Sequence, residues 1–252
     1  QTLPTGTITY RQNSAESKTH GMHVGSTVAG KYYGWAREAN IYNMAINGGG
    51  YASGQIFSGL YVHDYIRAFH LNKPVNSTTG RRNPTITNHS YGSATYMRAD
   101  QGGFTFSDLV FVRWRGTTYN SGNPNPSGWT QSGVETDFGI TFGLQYYPYY
   151  NAAVSADVQD AIDDGVVYVG AAGNDNLLIA EHNDADWDNL IAYQYNASTQ
   201  YSIPFCRGGA PNSPDVPIIQ VGALGNDKDF KRATFTQYGP GITVFAPGVE
   251  IV

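Results

Sequence analysis

One cysteine, three methionines and few charges set the first limits on this 252-residue chain. The lone Cys206 cannot close an intrachain disulfide. No cysteine or histidine stands near it at zinc-ligand spacing, so it reads as a small, semi-buried core residue. Asp, Glu, Lys and Arg make up only 14% of the chain, and 15 basic against 20 acidic residues leave a net charge of −5. No basic run exceeds the pair Arg81-Arg82, so the positive face that grips a phosphate backbone is missing and nucleic acid is not an expected partner. No apolar run approaches the ~20 residues that cross a bilayer, so no membrane partner is expected either. A signal peptide and an initiating methionine are also missing. The chain starts at Gln1, which reads as a processed form or a segment of something longer.

What fills the chain instead is 40% apolar residues, 30 glycines and 19 tyrosines, with polarity carried by Asn, Ser and Thr. That mixture suits an extracellular or particle-associated surface. A chain of this length can bury a full core, and residues 1–252 read as one domain without internal repeats or a second core.

Hydrophobic patterning gives alternating strands and helices. Ala39–Ile46 reads as a buried strand, and 55–69 as a helix with Ile56, Leu60, Val62, Ile66 and Phe69 on its apolar face. Thr85–Asn88 is a second strand. Residues 152–164 are helical, stopped by Gly165, and strands follow at Val166–Gly170, Val216–Val221 and Ile242–Phe245. Such alternation predicts an α/β fold whose largely parallel sheet is flanked by helices, with its site beyond the strands' carboxyl ends. Between 93 and 150 the pattern dissolves into Tyr, Gly, Asn and Pro, interrupted by strand-like Asp108–Trp114, and this stretch reads as a long loop insertion.

His20-Gly21-Met22-His23-Val24 leads into small residues and can project an imidazole from a helix start, where it is suited to proton transfer. Asn88-His89-Ser90-Tyr91-Gly92 and Ala171-Ala172-Gly173-Asn174 both sit at strand carboxyl ends. With Ala233-Thr234-Phe235-Thr236-Gln237-Tyr238-Gly239 and Phe245-Ala246-Pro247-Gly248-Val249, these segments resemble, in order, the motifs of subtilisin-like serine proteases. The resemblance implies the three-layer subtilisin-like fold and acyl-enzyme hydrolysis of a polypeptide substrate. It implies His20 as general base and acid and Asn174 as oxyanion donor. Ser90, Tyr91 and Gly92, with Ala171 and Gly173, would form the substrate cleft, and the two small residues would leave room for a side chain. His23 is expected to pack beneath the site.

Departures from the family pattern stand beside these matches. The 19 residues before His20 contain no Asp, and no Gly-Thr-Ser follows Pro247. The chain therefore reads as incomplete at both ends, with the orienting aspartate and the nucleophilic serine expected outside it. His20 to Ile46 also resembles subtilisin-like domains of tailed-phage virion proteins. A second reading is thus a catalytically silent structural domain of a virus particle or surface assembly, contacting other copies or other proteins through the insertion.

No cofactor is implied. Gly48 to Gly54 imitates a phosphate loop but lacks the Gly-Lys-Ser/Thr ending. Asp184, Asp186 and Asp188 alternate as in a calcium loop, yet Asn189 and Tyr195 stand where glycine and glutamate belong. A solvated acidic turn and a loose structural calcium site are the two readings of that stretch.

Overall fold

The computed structural model describes residues 20–44, 59–92, 94–97, 102–143, 146–148, 151–207 and 216–249. The chain divides into two compact units, 1–83 with 250–252 and 84–249. The glycine-rich turn at 48–54 and the start of the expected helix at 55–58 lie outside the described residues.

The first unit contains α1 (His20–Ala29) and α2 (Gly59–Leu71). α1 is built from small residues and buries none of them. The chain then folds back along it, with Ala36 N–H donating to Val28 O at 2.7 Å and Gly34 N–H to Gly30 O at 2.9 Å. The strand expected at 39–46 does not form over its described part, 39–44, where Ile41, Tyr42 and Met44 are exposed. No described strand lies beside it to satisfy its backbone, and Tyr42 instead tilts onto Phe69 of α2 at 4.7 Å. On α2 the apolar face is where the periodicity predicted it. Val62 and Ile66 are buried and Asp64 is exposed. The Arg82 guanidinium donates to Leu71 O at 3.0 Å and Lys73 O at 3.2 Å, placing a cation at the helix's negative end.

In chain order the second unit contains β1 (Thr85–His89), β2 (Ala94–Tyr96), β3 (Leu109–Trp114), β4 (Thr117–Tyr119), α3 (Gln131–Phe138) and β5 (Tyr146–Pro148). These are followed by α4 (Ala152–Asp163), β6 (Val166–Ala171), β7 (Leu190–Asn196), β8 (Thr199–Pro204), β9 (Ile219–Leu224) and β10 (Val244–Pro247). β1, β6, β9 and β10 form a parallel sheet in that spatial order. α4 begins where the Asn151 side chain accepts from Ala153 N–H at 3.0 Å, packs against β6, and stops before Gly165 at φ 101°. The predicted α/β class with a parallel sheet is therefore the observed one.

Two strands start later than the apolar runs suggested. Pro217 has no N–H to give, and Ile218 N–H turns back to Val216 O at 2.8 Å, so β9 begins at Ile219. Ile242 N–H likewise turns back to Gly239 O at 3.1 Å, delaying β10 to Val244.

The insertion departs most from expectation. Residues 94–148 are not a loop: they supply β2 to β5 and α3. β4, β3, β7 and β8 form a second, antiparallel sheet, so this stretch and 177–206 share one layer. Beneath it lies an aromatic core, in which Phe104, Phe138, Ile140, Tyr147, Ile191 and Phe205 are buried together. Periodicity missed this core because its strands are short and its apolar residues are spaced by turns.

The acidic turn belongs to the same layer. Arg115 donates bidentately to Asp186 at 2.8 and 2.9 Å, and Asn189 Nδ2 adds a third bond at 2.9 Å. The guanidinium holds the Asp186 carboxyl below the usual carboxylate range. Asp188 pairs with Arg207, whose guanidinium also stacks over Trp187. Among the described residues no three His, Cys, Asp or Glu side chains converge as metal ligands. No described helix is long and apolar enough to cross a membrane.

One buried histidine makes the first unit sensitive to acid. His63 is 3% exposed, and burial lowers its imidazole to about 4 from the usual 6.5. Its neutral form costs nothing above pH 6.5, where the unfolded chain is neutral too. Between pH 6.5 and 4 the unfolded state takes up a proton that the folded state refuses, so stability falls by up to about 3 kcal/mol. Urea midpoints at pH 7 and 4.5 are expected to separate for the native sequence and to draw together for His63→Leu. An unchanged separation in the variant would exclude His63 as the cause.

Candidate functional site

Strands that run parallel and in register also end together. β1 and β6 pair from Thr85↔Val166 to His89↔Gly170. The segments leaving their carboxyl ends therefore emerge side by side. This gathers Ser90, Tyr91, Gly92, Ala171, Gly173 and Asn174 at one end of one sheet, where open α/β sheets bind ligands. His20 belongs to the other compact unit, as the exposed first residue of α1. His23 is exposed on the same helix rather than packed, because α1 buries no residue against which it would lie.

β1 is an edge of the parallel sheet among the described residues, and the chain continues from it through Ser90 to Gly92. An edge carries backbone donors and acceptors that an extended peptide can pair with. A Cβ built at Gly92 would meet nothing within 4 Å, so the surface there is open. Ser90 Oγ is within 3.1 and 3.2 Å of the Asn88 amide, which steadies the turn off the strand.

Tyr91 is 36% exposed, but its hydroxyl end is anchored inward, 2.7 Å from Nδ1 of the buried His89. Thr87 Oγ1 donates to Val167 O at 3.3 Å and so can accept from His89 Nε2–H at 3.0 Å. That assignment leaves Nδ1 unprotonated, to accept from the Tyr91 O–H. His89 also stacks on Tyr168, with centroids 5.0 Å apart and planes 13° apart. Burial pushes the Tyr91 hydroxyl up to about 12.

The turn after β6 is shaped by two buried carboxamides. Gln220 Nε2 donates to Ala171 O at 2.6 Å, while its own Oε1 has no hydrogen-bond partner among the described residues. Gly173 lies at φ 110°, a conformation that disfavours any side chain, and a Cβ there would meet Gln237 Nε2 at 2.9 Å. Gln237 thus stands where a side chain at position 173 would start, whereas the surface at Gly92 is open. Gln237 Oε1 accepts from Asp175 N–H at 3.1 Å and Leu177 N–H at 2.8 Å. Asn174 itself is exposed, between these braced neighbours. Sequence reasoning gave neither glutamine a role, because a carboxamide has no spacing signature. The one available signal was a glutamine set between Phe235 and Tyr238.

Comparison with known proteins agrees with the motif order. The profile of the subtilase family matches residues 4–251. The chain belongs to the subtilase family. A subtilase-type proteinase of Saccharomyces cerevisiae is 34% identical over 112 residues, 44% of this chain and 16% of that protein. Alkaline protease 1 of Emericella nidulans is 30% identical over 103 residues, 41% of this chain and 18% of that protein. The match thus spans less than a fifth of either relative's length. Both relatives are fungal, and neither lends support to the virion branch of the resemblance.

The Tyr91–His89 bond gives a direct check on this geometry. Tyr91→Phe leaves a buried imidazole nitrogen without its donor and is expected to cost about 1–2 kcal/mol in urea unfolding near neutral pH. The native hydroxyl resists ionisation more when folded, so its contribution is whole below pH 10 and is lost as pH rises to 12. The variant should lose less stability over that alkaline window, and equal losses would exclude the anchored hydroxyl.

Proposed function

We propose that this chain forms part of a subtilisin-like serine endopeptidase, with the serine and aspartate supplied by parts of the parent protein beyond these residues. One observation carries the reading: in a member of the subtilase family, the β1–β6 register brings Ser90–Gly92 beside the turn bearing Asn174. On this reading an extended substrate pairs with the edge at Ser90–Gly92. The serine Oγ attacks the scissile carbonyl carbon as His20 accepts its proton, and the carbonyl π pair moves onto oxygen. Asn174 Nδ2 donates to that oxyanion. The pair returns, the C–N bond breaks, and the departing amine takes the proton from His20. Water then repeats the sequence on the acyl-enzyme.

The rival reading, a silent assembly domain, drew on the insertion's aromatic residues as a contact surface. Phe104, Phe138 and Tyr147 are buried in their own layer and are not available to a partner. Action outside the cell belongs to the proposal and is supported by the sparse charge and tyrosine-rich composition.

The full-length parent tests it. A fluorophosphonate is expected to label one serine, and peptide hydrolysis to fall roughly 10⁴-fold or more in His20→Ala. Asn174→Ala is expected to lower kcat by roughly 10²–10³ with KM little changed. No label and no hydrolysis in a folded parent would sink the endopeptidase reading.

A further inference from the structure

We infer that Gln237 is a positioning residue for Asn174: its buried carboxamide fixes the turn from which the oxyanion donor projects. This rests on the reading of Asn174 given above.

The argument begins from cost. A carboxamide buried to 1% exposure must find partners or forfeit its hydration. Gln237 finds them all in one place. Its Oε1 takes the N–H groups of Asp175 and Leu177, and its Nε2 donates to Asp175 Oδ2 at 3.2 Å. Its backbone N–H donates to Gly173 O at 3.3 Å. The partners thus lie on residues 173, 175 and 177, bracketing Asn174. The same carboxamide fills the space where a Cβ at Gly173 would stand.

Further bonds hold Gln237 against that turn. Asn176 N–H donates to Phe235 O at 2.8 Å, and Tyr238 N–H to Leu177 O at 3.0 Å. Arg232 reaches Asn176 Oδ1 at 2.8 Å and Thr236 O at 3.2 Å. Asn176, at φ 52°, is itself in a conformation that needs support. Among the described residues no hydrogen bond holds the Asn174 side chain, so its direction is set by the backbone on either side. An oxyanion donor displaced by a fraction of an ångström stabilises the transition state less while leaving substrate binding intact.

The test is a double-mutant cycle in the full-length protein, with kcat referred to the fraction of chains that a fluorophosphonate labels. Gln237→Met keeps the length of the side chain and removes its polar atoms. It is expected to lower kcat by about 10- to 100-fold with KM within about twofold. In an Asn174→Ala background the same change should lower kcat by less than about twofold, because its effect is transmitted through Asn174. Gln237→Glu keeps the two acceptor contacts and should recover part of kcat; it also carries the cycle if the Met variant does not fold. Full additivity of the two losses, or a rise in KM alone, would overturn the positioning role while the protease reading stands. A wild-type protein without hydrolysis would overturn both, whereas an Asn174→Ala variant with unchanged kcat would overturn the positioning role together with the oxyanion role of Asn174.

Discussion

Parallel pairing of β1 with β6 fixes the residues at which both strands stop, and the candidate cleft follows from that register. Because His89 stands opposite Gly170, the segment Ser90–Gly92 and the Asn174 turn leave the sheet at the same level. A slip of one residue would turn every side chain of β1 to the other face. His89 would leave its stack on Tyr168, and Tyr91 would lose its anchor. β6 in turn is held by β9, whose Gln220 reaches Ala171 O. Gln220 thus ties the end of its neighbouring strand, from which the Asn174 turn departs.

Much of this was legible in the sequence, for physical reasons. β1 and β6 are short runs rich in β-branched residues with alternating burial, and they were found nearly to the residue. α4 was legible from its period and its glycine stop. The boundaries of β9 and β10 were not, because an apolar run marks burial rather than pairing, and Val216, Ile218 and Ile242 are buried or half-buried without belonging to a strand. The stretch 39–44 failed for the converse reason. It has the composition of a strand and no described neighbour to pair with.

The site divides the same way. Motif residues were visible because backbone conformation demands their type, as at Gly173. The residues that brace them were invisible, since Gln237 and Gln220 act through bonds between segments some fifty to sixty positions apart. The antiparallel layer escaped notice because β3 and β7 are joined across nearly eighty residues, with the parallel strand β6 lying between them in sequence. Its aromatic core holds the 94–148 stretch together and links it to the chain that follows β6.

The turn at 184–189 shows what a fixed counter-charge does to a surface loop. An acidic loop tied by a bound cation depends on the supply of that cation and can be untied by a chelator. Here the counter-charges are Arg115 and Arg207, encoded in the chain itself. A guanidinium neither dissociates nor changes its charge across the physiological range. The loop's tether is therefore written at translation. Ionic strength reaches such a tether, and the shielded Asp186 side of the pair limits that reach.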